Sequence, residues 1–339
     1  MGQFNIFLVL ICVVKVFPQN YPDKVVDSLL KKGIDNIINQ EYSQAKLNFT
    51  ELDKKFPDLP FGKIYLAATE IAKSYDFSEG FNDDYIKENL AKAQEISEKL
   101  IDENEDNIWN IYFLALANGY LAYYDALNEN WLSAFDNGYS SIINFEKCLN
   151  IDSTFYEAYT AIGAYKYWKS RKTEFIEWIP FIQSEKDEGI KYLEKAVKNS
   201  SYNTYLAINS LQWILIDQKK FNEAIEISNN VLLKYPNCRF FKWGLGRAYE
   251  DIDKQKAIEV FNEILRSYPQ KQNLNNINKI ILKHLIAQLY NQLGNYKSAL
   301  KLCEEILSIR LDDFESSRLN ERINRVMGMK DGLTKIISN

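Results

Sequence analysis

The feature that most constrains this chain is a spacing of small and aromatic residues that recurs along it. Near the C-terminus, Ala287, Tyr290, Gly294, Tyr296 and Ala299 follow one another at short fixed offsets. Repetition of this kind indicates a helical hairpin that cannot bury its own apolar face and must stack on copies of itself. Two preceding units repeat the order, with Trp243, Gly246, Tyr249, Ala257, Phe261 and Pro269 in one and Phe221, Ala224, Val231 and Pro236 in the other.

Weaker copies of the same spacing extend the pattern to the N-terminal third. Ala67 and Ala115 occupy the small first-helix position of two degenerate units. We expect small residues of the two helices to meet, rings to fill the space between hairpins, and Pro to end each second helix. The pattern predicts about seven hairpins from residue 22 to about 309; the other motif residues are Gly33, Tyr42, Ala45, Phe49, Leu52, Pro57, Ser141, Phe145, Cys148, Tyr159, Ile162 and Gly163.

These offsets resemble the tetratricopeptide repeat (TPR). The resemblance implies an all-α fold, a right-handed superhelical array of antiparallel helix pairs, over residues 20–309. Apolar residues at helical spacing between Leu311 and Met327, with Arg and Glu between them, predict a C-terminal capping helix within residues 310–339. Gly328 and Gly332 are expected to end that helix.

The N-terminus carries nine consecutive apolar residues, Ile6–Val14. The run is too short to span a bilayer, which takes about 20 residues, and its length suits the core of a secretory leader. We therefore predict a signal peptide over residues 1–19 and an exported protein that is periplasmic, outer-membrane-associated or secreted. No Lys or Arg precedes the run, so an uncleaved apolar helix packed on the first repeat is the alternative.

An insertion interrupts the unit that begins at Tyr159. The small residue that should follow Gly163 in the second helix is Gly189, which leaves extra residues around 169–186. Trp178 and Phe181 make this insertion too apolar for a solvated loop. It either plugs a neighbouring groove of the same chain or contacts a partner or a membrane surface. A second stretch, residues 120–131, is also longer than a hairpin turn and is expected to be irregular.

Several classes of function find no support in the sequence. The formal net charge is −5 and no basic stripe is visible, which argues against nucleic acid as the partner. The single histidine, His284, cannot build a two-histidine metal site, and the acidic run at 102–106 lacks the glycine of a calcium loop. Cys148 and Cys303 occupy small apolar positions and are expected to be buried. With no nucleotide or hydrolase motif either, we predict a protein that is not an enzyme and needs no cofactor.

The family resemblance implies a groove, lined by the first helices, that binds an extended peptide or a helix. We predict a scaffold or adaptor that holds a protein partner through this face and the insertion. The alternatives are a small-molecule binder or enzyme using the central aromatic cluster, and a homo-oligomeric component of the envelope. Several of the rings could instead fill the inside of a tightly wound array. The candidate partner-binding residues are Tyr112, Tyr120, Tyr167, Trp168, Trp178, Phe181, Trp213, Trp243, Arg247, Gln288 and Asn291, with Thr160 and His284 on the same inner face.

Overall fold

The computed structural model describes residues 19–174, 184–269 and 275–338. These ranges contain fifteen α-helices, one short 3₁₀ turn at Tyr156–Ala158 and no strand. The predicted all-α fold class is confirmed. The helices are α1 (Lys24–Ile38), α2 (Tyr42–Lys55), α3 (Phe61–Phe77), α4 (Asp83–Glu103), α5 (Ile108–Leu127), α6 (Trp131–Ile151), α7 (Tyr159–Thr173), α8 (Lys186–Asn199), α9 (Thr204–Asp217), α10 (Phe221–Lys234), α11 (Arg239–Ile252), α12 (Lys254–Ser267), α13 (Ile277–Gln292), α14 (Tyr296–Leu307) and α15 (Asp313–Ser338).

The helices from α1 to α14 pair in chain order as seven antiparallel hairpins, and α15 packs on the last of them. Proline acts as predicted: Pro57, Pro236 and Pro269 each stand two residues beyond the end of a second helix, α2, α10 and α12. In the α11–α12 hairpin a single residue, Asp253, separates the helices, and its side chain caps α12 by accepting from the Gln255 amide.

The close approach of paired helices takes two forms. At Gly163 a Cβ would lie 2.7 Å from the carbonyl oxygen of Gly189, so small residue meets small residue as expected. At Gly33 and Gly246, by contrast, the space of the missing Cβ is filled by the rings of Phe49 and Phe261, at 2.3 and 2.5 Å. The general expectation of small meeting small was therefore wrong for these hairpins, because an aromatic side chain of the second helix fills the same gap.

Two stretches are more helical than expected. Residues 120–131 are not irregular: α5 and α6 have 20 and 21 residues, and only residues 128–130 separate them. Likewise α15 does not end at Gly328 or Gly332 but continues to Ser338. A Cβ at either glycine would meet nothing within 4 Å, so these glycines face open space and leave the helix intact. The cap buries Leu319, Val326 and Leu333 against a core that includes Ala299, Cys303 and Ile306 of α14.

The first hairpin also packs against the ends of much later helices. Ile34 and Ile38 of α1 share an apolar cluster with Tyr235, Cys238 and Phe241. Polar contacts follow the same path along α1: the Tyr202 hydroxyl donates to Asp27 at 2.6 Å, and the Tyr235 hydroxyl donates to Asp35. The array is thus wound tightly enough for its N-terminal unit to touch the turns before α9 and α11.

A buried carboxylate orders the turn that meets α1. Glu157 accepts from the backbone amides of Ser201, Tyr202 and Asn203, the last two at 3.1 Å. Burial raises the pKa of Glu157 to about 7, against the lowering effect of the three amide donors. Asn203 in turn donates to the Tyr112 hydroxyl at 2.9 Å, so this turn covers the inner side of α5.

A second seal joins α3 to α11 through a buried ion pair. Asp76 and Arg239 are 2% and 7% exposed, and Arg239 Nε donates to Asp76 Oδ1 at 2.8 Å. Asp76 also accepts from the Tyr42 hydroxyl at 2.9 Å, and the Arg239 guanidinium lies 4.6 Å from the centre of the Tyr268 ring. Burial lowers the pKa of Arg239, but hydrogen bonding to Asp76 outweighs it and the net pKa is raised. We call the contacts of residues 76–78 with Arg239, Tyr268, Asn275 and Asn278 the α3 seal.

Candidate functional site

The middle of the predicted groove is occupied by the protein itself. Tyr112 is fully buried among Trp109, Phe145 and Phe155, and burial raises the pKa of its hydroxyl. Thr160 is buried as well. Both residues are buried and do not line an open groove as predicted; at Tyr112 the turn at 200–203 closes over the inner side of α5.

The predicted residues of α7 belong to a separate core. Tyr167 is 1% exposed, and its hydroxyl donates to Asp217 at 2.7 Å across the boundary between two hairpins. Trp168 is half-buried, with its ring edge-on to Tyr167 at 5.2 Å. Tyr167 therefore packs the array rather than presenting a surface, which corrects its predicted role.

Other predicted rings are partly accessible. Tyr120 is half-buried beside Tyr65, and burial raises the pKa of its hydroxyl to about 12. Trp243 packs against Phe261 at 5.9 Å between ring centres, and Trp213 is 36% exposed. These rings lie on different hairpins, and none of them lines either of the two spaces between α13 and α15.

Two of the predicted residues meet in a cleft near the C-terminus. Gln288 and Asn291, one turn apart on α13, line a space of about 370 Å³ together with His284, Arg325 and Met329. Gln288 is exposed and Asn291 half-buried, so both amides are available to a ligand. We call this space the C-terminal cleft. A further space of about 400 Å³, lined by Ile277, Ile281 and the exposed side of α15, lies between the same two helices.

The polar wall of the C-terminal cleft is electropositive. Arg322 Nη1 lies 3.2 Å from His284 Nδ1, and since a guanidinium only donates, that nitrogen must accept and the imidazole is neutral. Burial and the charges of Arg322 and Arg325 lower the pKa of His284 to about 4, in agreement with this assignment. Burial, Arg325 and Arg247 lower the pKa of Arg322. The guanidinium groups thus lie near one another and favour a ligand that supplies acceptors or negative charge.

Arg247 of α11 does not line the cleft, but its charge contributes to the lowered pKa of Arg322. Its Nη1 donates to both carboxylate oxygens of Glu250, at 2.9 and 3.0 Å, and burial raises the pKa of Glu250 despite that pairing. Arg322 differs, because no carboxylate lies within ion-pair distance of it among the described residues. Among these arginines, Arg322 is therefore the half-buried cation whose charge a ligand would neutralise most directly.

Sequence reasoning missed the contribution of α15. That helix was interpreted solely as a shield for the last hairpin, yet it supplies Arg322, Arg325 and Met329 to the cleft and its border. The signal was present in the spacing of Arg318, Arg322 and Arg325, which share one side of a helix. Trp178 and Phe181 lie outside the described residues.

The described ranges contain no group of three or more His, Cys, Asp and Glu residues that could hold a metal ion. Cys148, Cys238 and Cys303 are free and buried, as expected for Cys148 and Cys303, and burial raises the pKa of the Cys148 thiol to about 12. Within the same ranges no helix has the length and apolar character needed to cross a bilayer.

Comparison with known proteins supports the repeat assignment. Two family models, both described as tetratricopeptide repeat, match residues 242–271 and 282–313, which cover α11–α12 and α13–α14. A search of curated proteins finds no match to the chain.

Solved structures with a similar fold include YrrB, PilW and human IFIT1. YrrB, described as a TPR protein with an unusual peptide-binding site, is 16% identical, with a TM-score of 0.44 and coverage of 68% of this chain and 100% of YrrB. PilW, described as a widely conserved type IV pilus biogenesis factor, is 15% identical, with a TM-score of 0.49 and coverage of 76% and 96%. A human IFIT1 dimer with PPP-AAAA is 12% identical, with a TM-score of 0.45 and coverage of 94% and 82%.

Proposed function

We propose that this chain, which is a tetratricopeptide-repeat protein, is a non-catalytic scaffold that holds a protein partner in the C-terminal cleft. TPR proteins are protein-interaction scaffolds in general, and the open C-terminal cleft supports that role for this chain. The observation that carries the proposal is the meeting of Gln288 and Asn291 with Arg325 and Met329 in an open space, while the middle of the inner face is filled.

The chemistry of the cleft suits an extended polypeptide. Side-chain amides both donate to and accept from a peptide backbone, and the guanidinium of Arg325 adds a donor for a carboxylate or a carbonyl. Met329 supplies an adaptable apolar contact. We therefore propose a bound segment that presents its backbone to α13 and an acidic group to α15.

Site-specific photo-crosslinking tests this assignment in producing cells. A photoreactive residue placed at Gln288 should give a discrete crosslinked product, whereas the same residue at Asn230, exposed on α10, should give none. The captured partner should then bind the double variant Gln288→Ala, Asn291→Ala at least about tenfold more weakly in titration, because two hydrogen-bonding anchors are lost. The matched control is Asn229→Ala, Asn230→Ala, and equal affinity of both double variants would reject the cleft as the binding site.

We also propose that the protein is exported. The apolar run at 6–14 supports this proposal, and cleavage is predicted near Gln19. Tyr21 is already anchored, since its ring packs edge-on against Phe61 and Trp109. Terminal sequencing of the protein from fractionated cells tests export: a mature chain beginning near residue 20 outside the cytoplasm supports it, and an intact Met1 in the cytoplasm contradicts it.

A further inference from the structure

The first half of α6 has its apolar side facing outward. Trp131, Leu132, Phe135 and Tyr139 are 64%, 82%, 70% and 57% exposed. At 3.6 residues per turn these four positions fall within an arc of about 100° on one side of the helix. An amphipathic helix of a globular protein normally turns such a stripe toward the core. We call these four residues the hairpin tip.

Polar side chains occupy the opposite, inner side of the same helix. Ser133 donates to the buried Asp125 carboxylate of α5 at 2.6 Å, and Asn137 donates to the same oxygen at 3.2 Å. One turn further on, Ser141 donates to the Ala115 carbonyl at 2.8 Å. Rotating α6 to bury its rings would leave the Asp125 carboxylate without these donors in the interior, at a high cost in free energy. The outward orientation of the stripe is therefore fixed by the packing of α5 on α6.

The hairpin tip is large for an uncovered surface. With about 200 Å² for each large side chain, the four exposed fractions correspond to roughly 500 Å² of mostly apolar area, near the top of the range for a monomer. The Phe135 and Tyr139 rings are parallel, with centres 6.3 Å apart and 4° between their planes, so they form a flat face rather than separate protrusions. A flat, preformed apolar face of this size favours contact with another apolar surface.

The charged side chains that the hairpin itself carries near the tip have one sign. Residues 101–146, which include α5 and α6 up to Glu146, contain no Lys or Arg, and the first basic residue of α6 is Lys147. Glu129 and Asp136 are exposed beside the rings. On the next hairpin, Lys166 and Arg171 are paired with carboxylates such as Glu185 and Asp217. A partner surface that is complementary to the hairpin tip is thus apolar and basic. The acidic residues of this stretch are Asp102, Glu103, Glu105, Asp106, Asp125, Glu129, Asp136 and Glu146.

We propose that the hairpin tip docks a basic amphipathic helix of a partner protein, with the apolar side of that helix on the rings and its Lys or Arg residues beside Glu129 and Asp136. This surface is separate from the C-terminal cleft, and the proposal for either surface can fail without the other. The acidic surroundings disfavour an anionic membrane, which attracts basic rather than acidic protein surfaces.

A synthetic 18-residue helix of Leu and Lys, labelled for fluorescence anisotropy, is the probe. The full chain should bind it, and the triple variant Trp131→Ser, Phe135→Ser, Tyr139→Ser should bind it at least about tenfold more weakly, as expected when central aromatic anchors are removed. A peptide with Glu in place of Lys should bind the natural chain at least tenfold more weakly. The control variant Leu47→Ser, Leu233→Ser removes two equally exposed apolar residues elsewhere and should bind like the natural chain.

Five results would overturn the proposal. The triple variant could bind the Lys peptide as tightly as the natural chain, or the Glu peptide could bind equally well. Light scattering could show a dimer that the triple variant abolishes, which would make a second copy the occupant. A melting temperature lowered by several degrees in the triple variant would show that residues of this chain cover the tip. Binding to neutral phosphatidylcholine vesicles that depends on Trp131 would assign the tip to a membrane.

Discussion

Removing the Asp76 carboxylate should open the α3 seal. In the Asp76→Ala variant, the Arg239 guanidinium, 7% exposed, would remain buried without its carboxylate. Breaking a buried pair in this way costs about 3–5 kcal/mol, and the Tyr42 hydroxyl also loses its acceptor. The side-chain hydrogen bonds that remain for Arg239, to Ser267 at 3.4 and 3.5 Å, are too long to compensate. We therefore expect a loss of about 4 kcal/mol in the free energy of unfolding.

Urea unfolding measures this loss of stability for the whole chain, and amide hydrogen exchange measures it for individual helices. Because repeat arrays need not unfold as one unit, exchange of individual helices is the sharper assay. A factor of ten in the exchange protection of an amide corresponds to about 1.4 kcal/mol of opening free energy. Opening the seal should therefore lower the protection of α1 amides by roughly a hundredfold or more, while α14 amides stay protected.

Two further variants show whether the pair itself is responsible. The double variant Asp76→Ala, Arg239→Leu should recover much of the stability, because no buried charge is left uncompensated. Lys92→Ala, which breaks an exposed pair with Glu95, should cost less than about 1 kcal/mol. A cost below about 1 kcal/mol for Asp76→Ala, or an equal loss of protection in α1 and α14, would refute the reasoning.

The remaining predictions concern single positions. Gly163→Ala should lower the free energy of unfolding by about 1–3 kcal/mol in urea titration, since the new Cβ would lie 2.7 Å from the Gly189 carbonyl oxygen. Gly328→Ala, whose Cβ meets nothing, should instead stabilise α15 by about 0.5–1 kcal/mol, and a loss there would contradict the geometry. The pKa of Glu157 is raised from 4.5 to about 7 in the folded state, so the folded protein holds this proton more tightly than the unfolded chain does. The stability that this group contributes is therefore present below pH 4.5 and is lost as the pH rises through 7. Glu157→Gln should flatten that part of the stability profile, and an unchanged slope between pH 4.5 and 7 would contradict the assignment.

At the predicted groove, some residues assigned to the inner side line a cleft and others are covered by distant parts of the chain. Offsets from the small first-helix residue predicted that Gln288 and Asn291 face the inner side, and both residues line the C-terminal cleft. The same offsets placed Tyr112 and Tyr167 on that side, but a local spacing carries no information about what lies across the array. The turn at 200–203 and the Asp217 carboxylate cover these two tyrosines, and they are 91 and 50 residues distant in the chain from their partners.

The sequence by itself determined the repeating unit. The positions of small residues, rings and prolines are local requirements of a helical hairpin, and they predicted its number and most of its turns. The tertiary structure alone decided how tightly the hairpins wind, and with it which inner residues are buried, because small rotations between neighbouring units add up along the array. It also decided that Trp131 and Phe135 face outward, since that orientation follows from hydrogen bonds to Asp125 on another helix rather than from the apolar pattern of α6.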